Sequence, residues 1–510
     1  MIVEDQSAAI ACLADPASHG GAAVERIDTH GAVIFLAGSR AYKLKRAVRF
    51  AFLDYSTADK RRVVCEAEAR LNRRTAPDLY QGVVPITEEA DGALALDGAG
   101  RPVDWVVVMK RFDQDTLFDR MAARGDLTNA LTRDLADTIA DFHDKAVRRP
   151  DLGGRDGIAA VIDGNMATLR GESAGLFPAR DLDAIEGAWR DALAARGELL
   201  DARRIGGRVR WCHGDLHLRN ICLIDGRPTL FDGIEFSEAI ACIDVLYDLA
   251  FLLMDLRHRD LGELASVVFN RYLGCTEDVA GLAALGLFQS LRAGVRAMVG
   301  AIEAGQSKGG EAAKLGAEAR DYLALAFAFL EPPAPRLIAI GGLSGTGKST
   351  LAAALAPCLA APPGAVVLRS DLIRKRVFAA RPEQRLGAEA YQPAASRAVY
   401  DRLESLAEDG LAAGQVVVLD AVFARPGERA RAEAIARAAY VPFHGLWLEA
   451  PVDILRARIG ARVGDPSDAT AAVLDRQLDY DLGAIEWTRV DVSGTDADVI
   501  AAARRALEGA

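Results

Sequence analysis

Three side chains suited to phosphoryl transfer stand at a fixed spacing around the stretch CHGDLHLRN, residues 212–220. Transfer of a phosphoryl group to a hydroxyl needs a carboxylate that orients the acceptor, ligands for Mg²⁺ and cations for the phosphates. Asp215 has the chemistry to accept the hydroxyl proton, and Asn220 can offer its side-chain oxygen to a metal. Further along, LFDGIEF places Asp232 at the end of a short apolar run, where it can be a second metal ligand. The spacing predicts a catalytic loop followed by a metal-binding turn.

The His-Gly-Asp stretch by itself admits a second interpretation. His213 and Asp215 could simply cap a helix or close a turn, as aspartate often does. Asn220 and Asp232 in the correct order favour the catalytic interpretation, because a short motif gains meaning only from its context. His217 is interpreted as a loop or core histidine without a catalytic role.

A different phosphate-binding element follows in GGLSGTGKST, residues 341–350. It fits the pattern G-x-x-x-x-G-K-[ST], with the apolar run RLIAI before it and the helical run STLAAALAPCLA after it. Its glycines let backbone N–H groups face a phosphate, while the lysine reaches the β- and γ-phosphate oxygens and the serine ligates Mg²⁺. The predicted nucleotide-binding residues are Gly342, Ser344, Gly345, Thr346, Gly347, Lys348, Ser349 and Thr350.

The bulk properties of the chain narrow its class. A length of 510 residues is too great for one ordinary core and predicts several domains. The net charge of the chain is −11, of which the residues before Pro335 carry −10 and the remaining residues −1. The acidic character of the first part argues against general nucleic-acid binding there. The seven scattered cysteines are typical of reduced thiols. Because there is neither an apolar run of about 18 residues nor a basic leader, we predict a cytoplasmic protein without a membrane segment.

The prolines of FLEPPAPRLIAIGG, residues 329–342, predict a domain boundary near residue 332, because proline cannot continue a helix. Downstream, short apolar runs alternate with helical segments, which predicts an α/β domain with a parallel sheet. Upstream, strand-like runs around one helical segment are followed by a mostly helical region. We therefore predict two domains: 1–331, with a small β-rich lobe at about 24–112 and a large helical lobe at about 113–331, and 332–510.

The motif from His213 to Asn220, followed by Asp232, resembles the aminoglycoside phosphotransferase and choline kinase group, which shares the bilobal protein-kinase-like fold. The resemblance covers roughly residues 24–330. It implies ATP and Mg²⁺ as cofactors, Asp215 as the base, and the asparagine and second aspartate as metal ligands. It also implies that an aspartate like Asp248 braces the catalytic loop.

The same resemblance implies a lysine and a glutamate upstream. In RAYKLKR, Lys43 aligns with the strand lysine that contacts the α- and β-phosphates, and Lys45 on the same strand face stays an alternative. Glu68 is the predicted ion-pair partner, with Glu66 as the alternative. The stretch VVVMKRF resembles the hinge strand and places Met109 near the adenine.

The downstream part, residues 335–510, resembles P-loop kinases of the nucleoside-monophosphate-kinase-like type, among them gluconate kinases, chloramphenicol phosphotransferase and zeta toxins. Their fold is a three-layer α/β domain with a parallel sheet. The resemblance implies an acceptor-binding aspartate and arginine, a metal-supporting aspartate and two lid arginines on one helix face, which are Asp371, Arg374, Asp420, Arg458 and Arg462. The remaining basic residues between 369 and 385 could bind a phosphorylated acceptor, but we expect them to form a solvated helix face. The stretch GDPSDATAAVLDRQL could face the acceptor, but we expect Ser467 or Asp468 to cap a helix there.

The two motif sets predict a bifunctional ATP-dependent phosphotransferase. Each centre would move the γ-phosphate of ATP to a hydroxyl of a small molecule such as a sugar, an amino sugar or an aminoglycoside-like compound. Two alternatives stay open: one domain is a nucleotide-gated regulator of the other, or the P-loop half acts on polynucleotide 5′ ends or nucleotide sugars. The near-neutral charge of that half and its lack of an aromatic stacking platform argue against nucleic acid.

Overall fold

The computed structural model describes residues 3–29, 31–49, 54–171, 175–331, 334–461 and 467–508. These residues form two compact units, Met1–Val161 with Leu200–Leu252, and Ile162–Leu199 with Leu253–Ala510. The domain boundary predicted near residue 332 falls inside the second unit, beside residues 332–333 outside the described ranges. It stays a prediction.

A six-stranded antiparallel sheet forms the N-terminal lobe of the first unit. Helix α1 (Ser7–Ala14) precedes the strands β1 (Val24–Asp28), β2 (Ala32–Ala37) and β3 (Arg40–Lys45), and helix α2 (Ala58–Asn72) precedes β4 (Tyr80–Glu88), β5 (Leu94–Leu96) and β6 (Arg101–Lys110). The strand order is β1-β2-β3-β6-β4-β5. Thr57 caps α2 by accepting a hydrogen bond from the Lys60 N–H, as serine and threonine commonly do at helix starts. The predicted small β-rich lobe is confirmed.

Helices dominate the chain after this sheet. They are α3 (Phe118–Arg124), α4 (Asn129–Lys145), α5 (Gly154–Arg170), α6 (Ala179–Ile205), α7 (Glu238–Ala241) and α8 (Val245–His258). Between them, β7 (Val209–Trp211) pairs with β10 (Cys242–Asp244), and β8 (Ile221–Ile224) pairs with β9 (Arg227–Leu230), both antiparallel. A 3₁₀ turn at Leu218–Asn220 joins β7 to β8 and contains the end of the predicted catalytic loop.

The second unit is built on a five-stranded parallel sheet. After α9 (Gly262–Thr276), α10 (Leu285–Gln306) and α11 (Gly309–Ala328), the chain forms β11 (Leu337–Gly341), α12 (Lys348–Leu359), β12 (Val366–Arg369), α13 (Ser370–Val377), α14 (Pro393–Ala412), β13 (Val417–Asp420), α15 (Pro426–Ala438), β14 (Phe443–Glu449), α16 (Val452–Gly460), α17 (Ala471–Leu478), β15 (Thr488–Asp491) and α18 (Asp496–Glu508). The strand order is β12-β13-β11-β14-β15. The predicted parallel sheet is confirmed, with a core of buried aliphatic residues that includes Ile338, Val418 and Leu446.

The order of this sheet fixes where its functional residues lie. Parallel strands end at one edge, and ligands of α/β sheets bind outside the carboxyl ends of the strands. The loop after β11, Asp371 after β12 and Asp420 at the end of β13 therefore share that edge. Within the described part of the chain, no helix combines the length and the apolar character needed to cross a membrane.

Candidate active sites

Two lysines of β3 share one glutamate in the first unit. Lys43 and Lys45 point to the same face of the strand, because side chains alternate along it, and both are buried. The Lys43 Nζ donates to Glu68 Oε1 at 2.9 Å and also contacts Asp232. The Lys45 Nζ lies 2.5 Å from Glu68 Oε2. Among the described residues, Lys43 forms an ion pair with the predicted metal ligand Asp232 and Lys45 does not, so the structure favours Lys43 for the phosphate role.

Between the two candidate glutamates, the structure brings Glu68 and not Glu66 to the lysines. Glu68 is fully buried on the inner face of α2. Glu66 is exposed and lies 3.8 Å from Arg62 on the same helix. The helical period explains the difference, because residues two apart on a helix point to different sides.

Glu235 joins this cluster although the sequence pattern did not indicate it. Its Oε1 accepts hydrogen bonds from Lys45 Nζ at 2.6 Å and from the Tyr55 hydroxyl at 3.0 Å. Burial raises the pKa of Glu235, against the lowering effect of Lys45, while the nearby Glu68 carboxylate raises it further. Burial alone would lower the pKa of Lys45, but Glu235 and Glu68 outweigh it and hold that pKa well above its usual range. The only signal in the sequence is a second acid three residues after Asp232.

The turn that carries Asp232 is held from two sides. Asp232 has a φ of 60°, a left-handed conformation that is uncommon for a residue other than glycine. Its backbone N–H donates to the Tyr80 hydroxyl at 3.0 Å, and the Gly233 N–H donates to Asn72 Oδ1 at 2.7 Å. Burial would raise the pKa of Asp232, but the Lys43 and Lys45 ammonium groups outweigh it and lower the pKa. The carboxylate is therefore ionised.

The predicted catalytic loop is braced by Asp248 of α8. The backbone N–H groups of His213 and Gly214 donate to the two oxygens of this buried carboxylate at 3.0 and 2.9 Å. The Nε2 of His143 lies 3.1 Å from the same carboxylate. The Nε2 of His213 lies 2.9 Å from the Phe231 carbonyl, and it must carry the proton because a carbonyl can only accept. Burial lowers the pKa of His213, which keeps the ring neutral.

Asp215 and Asn220 are brought together at the end of this loop. The Asn220 Nδ2 donates to Asp215 Oδ2 at 2.8 Å and to the Asp215 carbonyl at 2.9 Å. This orientation fixes which end of the amide is the donor and leaves the Asn220 Oδ1 as the atom that suits a metal ion. His217 Nε2 lies 3.3 Å from the same Asp215 oxygen, so the histidine to which we assigned no role is a neighbour of the predicted base.

His143, Cys212 and Asp248 form a buried group whose ligand atoms lie within 4.8 Å of one another, close enough to hold a metal ion. Burial raises the pKa of the Cys212 thiol well above its usual value, so the sulfur stays protonated. Both Asp248 oxygens accept hydrogen bonds from the loop. The chemistry of this group fits a brace for the loop and does not fit a metal centre.

Met109 lies in β6 between β3 and β4. Its side chain packs into a buried apolar cluster with Leu36, Ala41 and Tyr80. A contact with adenine would therefore have to come from its backbone, and its role in nucleotide binding stays a prediction.

The phosphate loop of the second unit has the backbone that its glycines predict. Gly342, Gly345 and Gly347 have φ values of 142°, 91° and 83°. A Cβ on Gly345 would lie 2.7 Å from the Leu455 carbonyl, so a side chain is excluded by space as well as by conformation. The Lys348 Nζ at the start of α12 donates to the Leu343 carbonyl at 3.0 Å. Of the remaining predicted loop residues, Ser344 and Thr346 are buried and Thr350 is exposed.

The predicted metal ligands of this unit also meet. The Ser349 hydroxyl donates to Asp420 Oδ2 at 2.5 Å, and the Arg369 Nε lies 3.3 Å from the same oxygen. A serine hydroxyl next to a carboxylate is an oxygen donor set that suits Mg²⁺. The sequence placed the serine and the aspartate on different elements, and the parallel sheet brings them to one edge.

Asp371 and Arg374 lie one turn apart on α13, beside this edge. Burial and the Asp420 carboxylate raise the pKa of Asp371, against the lowering effects of Arg369, Ser467 and Lys348. A raised pKa brings a carboxylate closer to the range in which a general base works.

The Arg374 guanidinium is buried. It donates to the Ala390 carbonyl at 2.5 Å and lies over the Tyr391 ring, with 4.8 Å between the charge centre and the ring centroid.

The expectation that Ser467 or Asp468 caps a helix is wrong, because α17 begins only at Ala471, after Thr470. Asp468 instead accepts hydrogen bonds from Lys375 Nζ at 2.6 Å, from the Tyr391 hydroxyl at 2.6 Å and from the Leu386 N–H at 3.1 Å. Lys375 is almost fully buried, so the expectation of a solvated basic face is also wrong at this residue. Both errors have one cause: the partners lie up to 93 residues apart in sequence.

A cavity of about 1010 Å³ in the second unit collects these groups. Its lining contains the phosphate loop and the predicted acceptor and metal residues, together with Arg458 of α16 and Gln477 of α17. The Arg458 Nη2 donates to the Val492 carbonyl at 2.8 Å, and Gln477 Oε1 accepts from the Ser344 N–H at 2.8 Å. Arg462, the second predicted lid arginine, lies outside the described residues.

Two separate stretches of the chain match the models of known protein families. Residues 37–285 match the model of the phosphotransferase enzyme family, and residues 337–481 match an AAA domain. An uncharacterised protein of Mycobacterium tuberculosis (strain ATCC 25618 / H37Rv) is 32% identical over 480 residues, which cover 92% of each chain.

Two solved structures are similar to separate parts of the chain. A choline/ethanolamine kinase family protein from Mesorhizobium loti has a TM-score of 0.41 and 18% identity, covering 64% of this chain and 95% of that chain. An APS kinase of Mycobacterium tuberculosis has a TM-score of 0.26 and 21% identity, covering 35% of this chain and 99% of that chain.

Proposed function

The chain belongs to the phosphotransferase enzyme family, with a P-loop kinase domain of the AAA type joined to it, and from this premise we propose that each part holds its own phosphoryl-transfer centre. That the protein is an ATP-dependent kinase acting on small molecules follows from the two families. The observation that supports two centres is that each has a lysine, a carboxylate base and oxygen ligands for a metal ion of its own.

In the first centre, Asp215 is the proposed base and Lys43 the cation for the ATP phosphates. The acceptor oxygen bonds to the γ-phosphorus while the bond from that phosphorus to the β–γ bridging oxygen breaks, the hydroxyl proton goes to Asp215, and ADP leaves. Asn220 and Asp232 offer the oxygen atoms that would hold Mg²⁺, which neutralises negative charge on the phosphates when bound. Glu68 orients Lys43 through the bond of 2.9 Å.

In the second centre, Lys348 and the loop N–H groups would hold the β- and γ-phosphates. Asp371 is the proposed base, and its raised pKa supports this role. Ser349 and Asp420 are the proposed metal ligands. Arg374 would contact the acceptor, and Arg458, with Arg462, would stabilise the transferring phosphoryl group.

The proposed acceptors of both centres are small polar molecules with a free hydroxyl, such as sugars, amino sugars or aminoglycoside-like compounds. We propose ATP and Mg²⁺ for both centres, a cytoplasmic location, and no nucleic-acid partner. The proposed domains remain residues 1–331 and 332–510.

The test is transfer of ³²P from γ-labelled ATP to a panel of such hydroxyl compounds by the full chain and by Asp215→Ala and Lys348→Ala. We expect each substitution to abolish a different set of labelled products, with Lys314→Ala, an exposed lysine, as the control for a lost charge. If both variants keep every product, the two-centre proposal is wrong. If Lys348→Ala removes no product and only changes the rate of Asp215-dependent transfer, the P-loop part is a nucleotide-gated regulator.

A further inference from the structure

Helix α9 covers the open edge of the parallel sheet within the second unit. Because β12 is the first strand in the sheet order, one side of its backbone lacks a strand partner. The Asn270 Nδ2 donates to the Ala365 carbonyl at 3.1 Å, and its Oδ1 accepts from the Val367 N–H at 2.8 Å. A side-chain amide offers the same donor and acceptor as a peptide group. Asn270 therefore takes the place of a neighbouring strand at this edge.

An acidic residue just after α9 holds the helices that follow β12. The Glu277 carboxylate accepts from Arg402 of α14 at 3.1 and 2.9 Å, and it lies 3.6 Å from the Arg376 Nε of α13. Arg376 also donates to the Cys275 carbonyl. Glu277 has a φ of 50°, a left-handed conformation that is uncommon for a residue other than glycine. Its carboxylate also lies at the C-terminal end of α9, where the helix dipole disfavours a negative charge. The two arginines offset this unfavourable position.

The same side of α9 reaches the residue next to Asp371. A Cβ built on Gly274 would lie 3.4 Å from the Leu372 Cδ1, so α9 passes close to the first turn of α13 with room for little more than a methyl group between them. Near the middle of α9, Arg271 makes an ion pair of 3.1 Å with Glu383 in the segment after α13. The helix that carries Asp371 is thus fixed before its start, at its first turn and near its end.

We propose that α9 is a positioning element of the P-loop centre, with Asn270 and Glu277 as its positioning residues. The inference rests on the proposed function, in which Asp371 and Arg374 of α13 contact the acceptor. A misplacement of about 1 Å at a reacting group can cost roughly 100-fold in rate. Helix α9 lies in the part of the chain that matches the phosphotransferase enzyme family, so residues of that part set the geometry of the P-loop centre.

The test compares Glu277→Gln and Asn270→Asp in the full chain. The first removes the charge that the arginines meet, and the second turns a donor into an acceptor facing the Ala365 carbonyl. Two quantities are measured. The first is the rate of ATP hydrolysis, with water as the acceptor, that Lys348→Ala abolishes. The second is the affinity for the non-hydrolysable analogue AMPPNP. We expect the rate of hydrolysis to fall roughly tenfold in each variant and the AMPPNP affinity to stay within about twofold. The reason is that the groups contacted by Asn270 and Glu277 lie at β12, α13 and α14 and not in the phosphate loop.

The matched control is Glu263→Gln, an exposed residue on α9 whose carboxylate makes no hydrogen bond or ion pair among the described residues. It should hydrolyse ATP like the unmodified chain. Unchanged hydrolysis in both test variants overturns the proposal. So does an equal loss of Asp215-dependent transfer, since that would indicate general destabilisation.

Hydrogen exchange separates this proposal from the proposed function. In both test variants, and not in the control, amides of residues 366–377 should exchange at least tenfold faster. If Lys348→Ala leaves ATP hydrolysis intact, the proposed function of the P-loop centre fails, and the exchange result still decides whether α9 holds α13. Unchanged exchange overturns the proposal.

Discussion

Lys43 and Lys45 look equivalent in the sequence, and their second partners distinguish them in the structure. Lys43 joins Glu68 to Asp232, whereas Lys45 joins Glu68 to Glu235. Lys43 thus contacts a proposed metal ligand. Lys45 forms ion pairs with two carboxylates that are almost completely buried, and this indicates a role in stability.

Lys45→Met should destabilise the chain more than Lys43→Met does. Removing one partner of a buried ion pair costs about 3–5 kcal/mol, because the remaining charge is left uncompensated. Calorimetry should show a lower unfolding midpoint for Lys45→Met, and transfer assays should show that Lys43→Met loses Asp215-dependent activity while remaining folded. The assignment of the phosphate role to Lys43 would be reversed if Lys43→Met kept full Asp215-dependent activity and a folded Lys45→Met variant lost it.

Asp371→Asn should abolish Lys348-dependent transfer and raise the stability of the chain at pH 7. The raised pKa of Asp371 means that folding disfavours its ionised form, so a neutral isostere removes an unfavourable term at pH values above that pKa. In the unmodified chain, Lys348-dependent activity should rise with pH as this carboxyl ionises, above the usual pKa of 3.8. A pH–rate profile and thermal unfolding check both points. The exposed Asp479→Asn should change neither, and a lower midpoint for Asp371→Asn would contradict the expected sign.

At the scale of elements, α8 holds the proposed catalytic loop through one side chain, that of Asp248. Asp248→Asn replaces one of two acceptor oxygens with an amide that meets a backbone N–H. Each hydrogen bond to a charged group contributes about 1.5–3 kcal/mol, so we expect a loss of that size and a large fall in Asp215-dependent transfer. Lys348-dependent transfer should stay unchanged, as should both activities in the exposed Asp260→Asn. Equal losses in both centres would refute a local role for Asp248.

The elements that could be predicted best are those whose functional residues follow one another closely in the sequence. The phosphate loop needs glycines at fixed positions, and those residues have the φ values that their type permits. Glu235 and Asp468 were missed or misread because their partners lie far away in the chain, at Lys45 and Lys375. A local pattern cannot separate such a residue from a helix cap or a solvated charge, since the pairing is created only by packing.

At the scale of the whole molecule, the second compact unit contains more than the P-loop domain predicted from residue 332 onward. A fragment of residues 253–510 keeps Asn270 and Glu277, whereas a fragment of residues 334–510 loses both. The longer fragment should unfold at a higher temperature, because it retains the two hydrogen bonds of Asn270 and the two ion pairs of Glu277, together about 2–4 kcal/mol. Thermal unfolding of the two fragments checks this, and equal midpoints would contradict it.

The place of Asn270 in the chain has a consequence for synthesis. A bare strand edge can pair with another chain, and partly made domains are exposed to such pairing while they emerge from the ribosome. Because α9 precedes β12 by about 90 residues, the group that covers this edge is made before the edge itself. From this order along the chain we expect the edge of the newly made sheet to be covered as soon as it forms, whereas the reverse order would present the edge first.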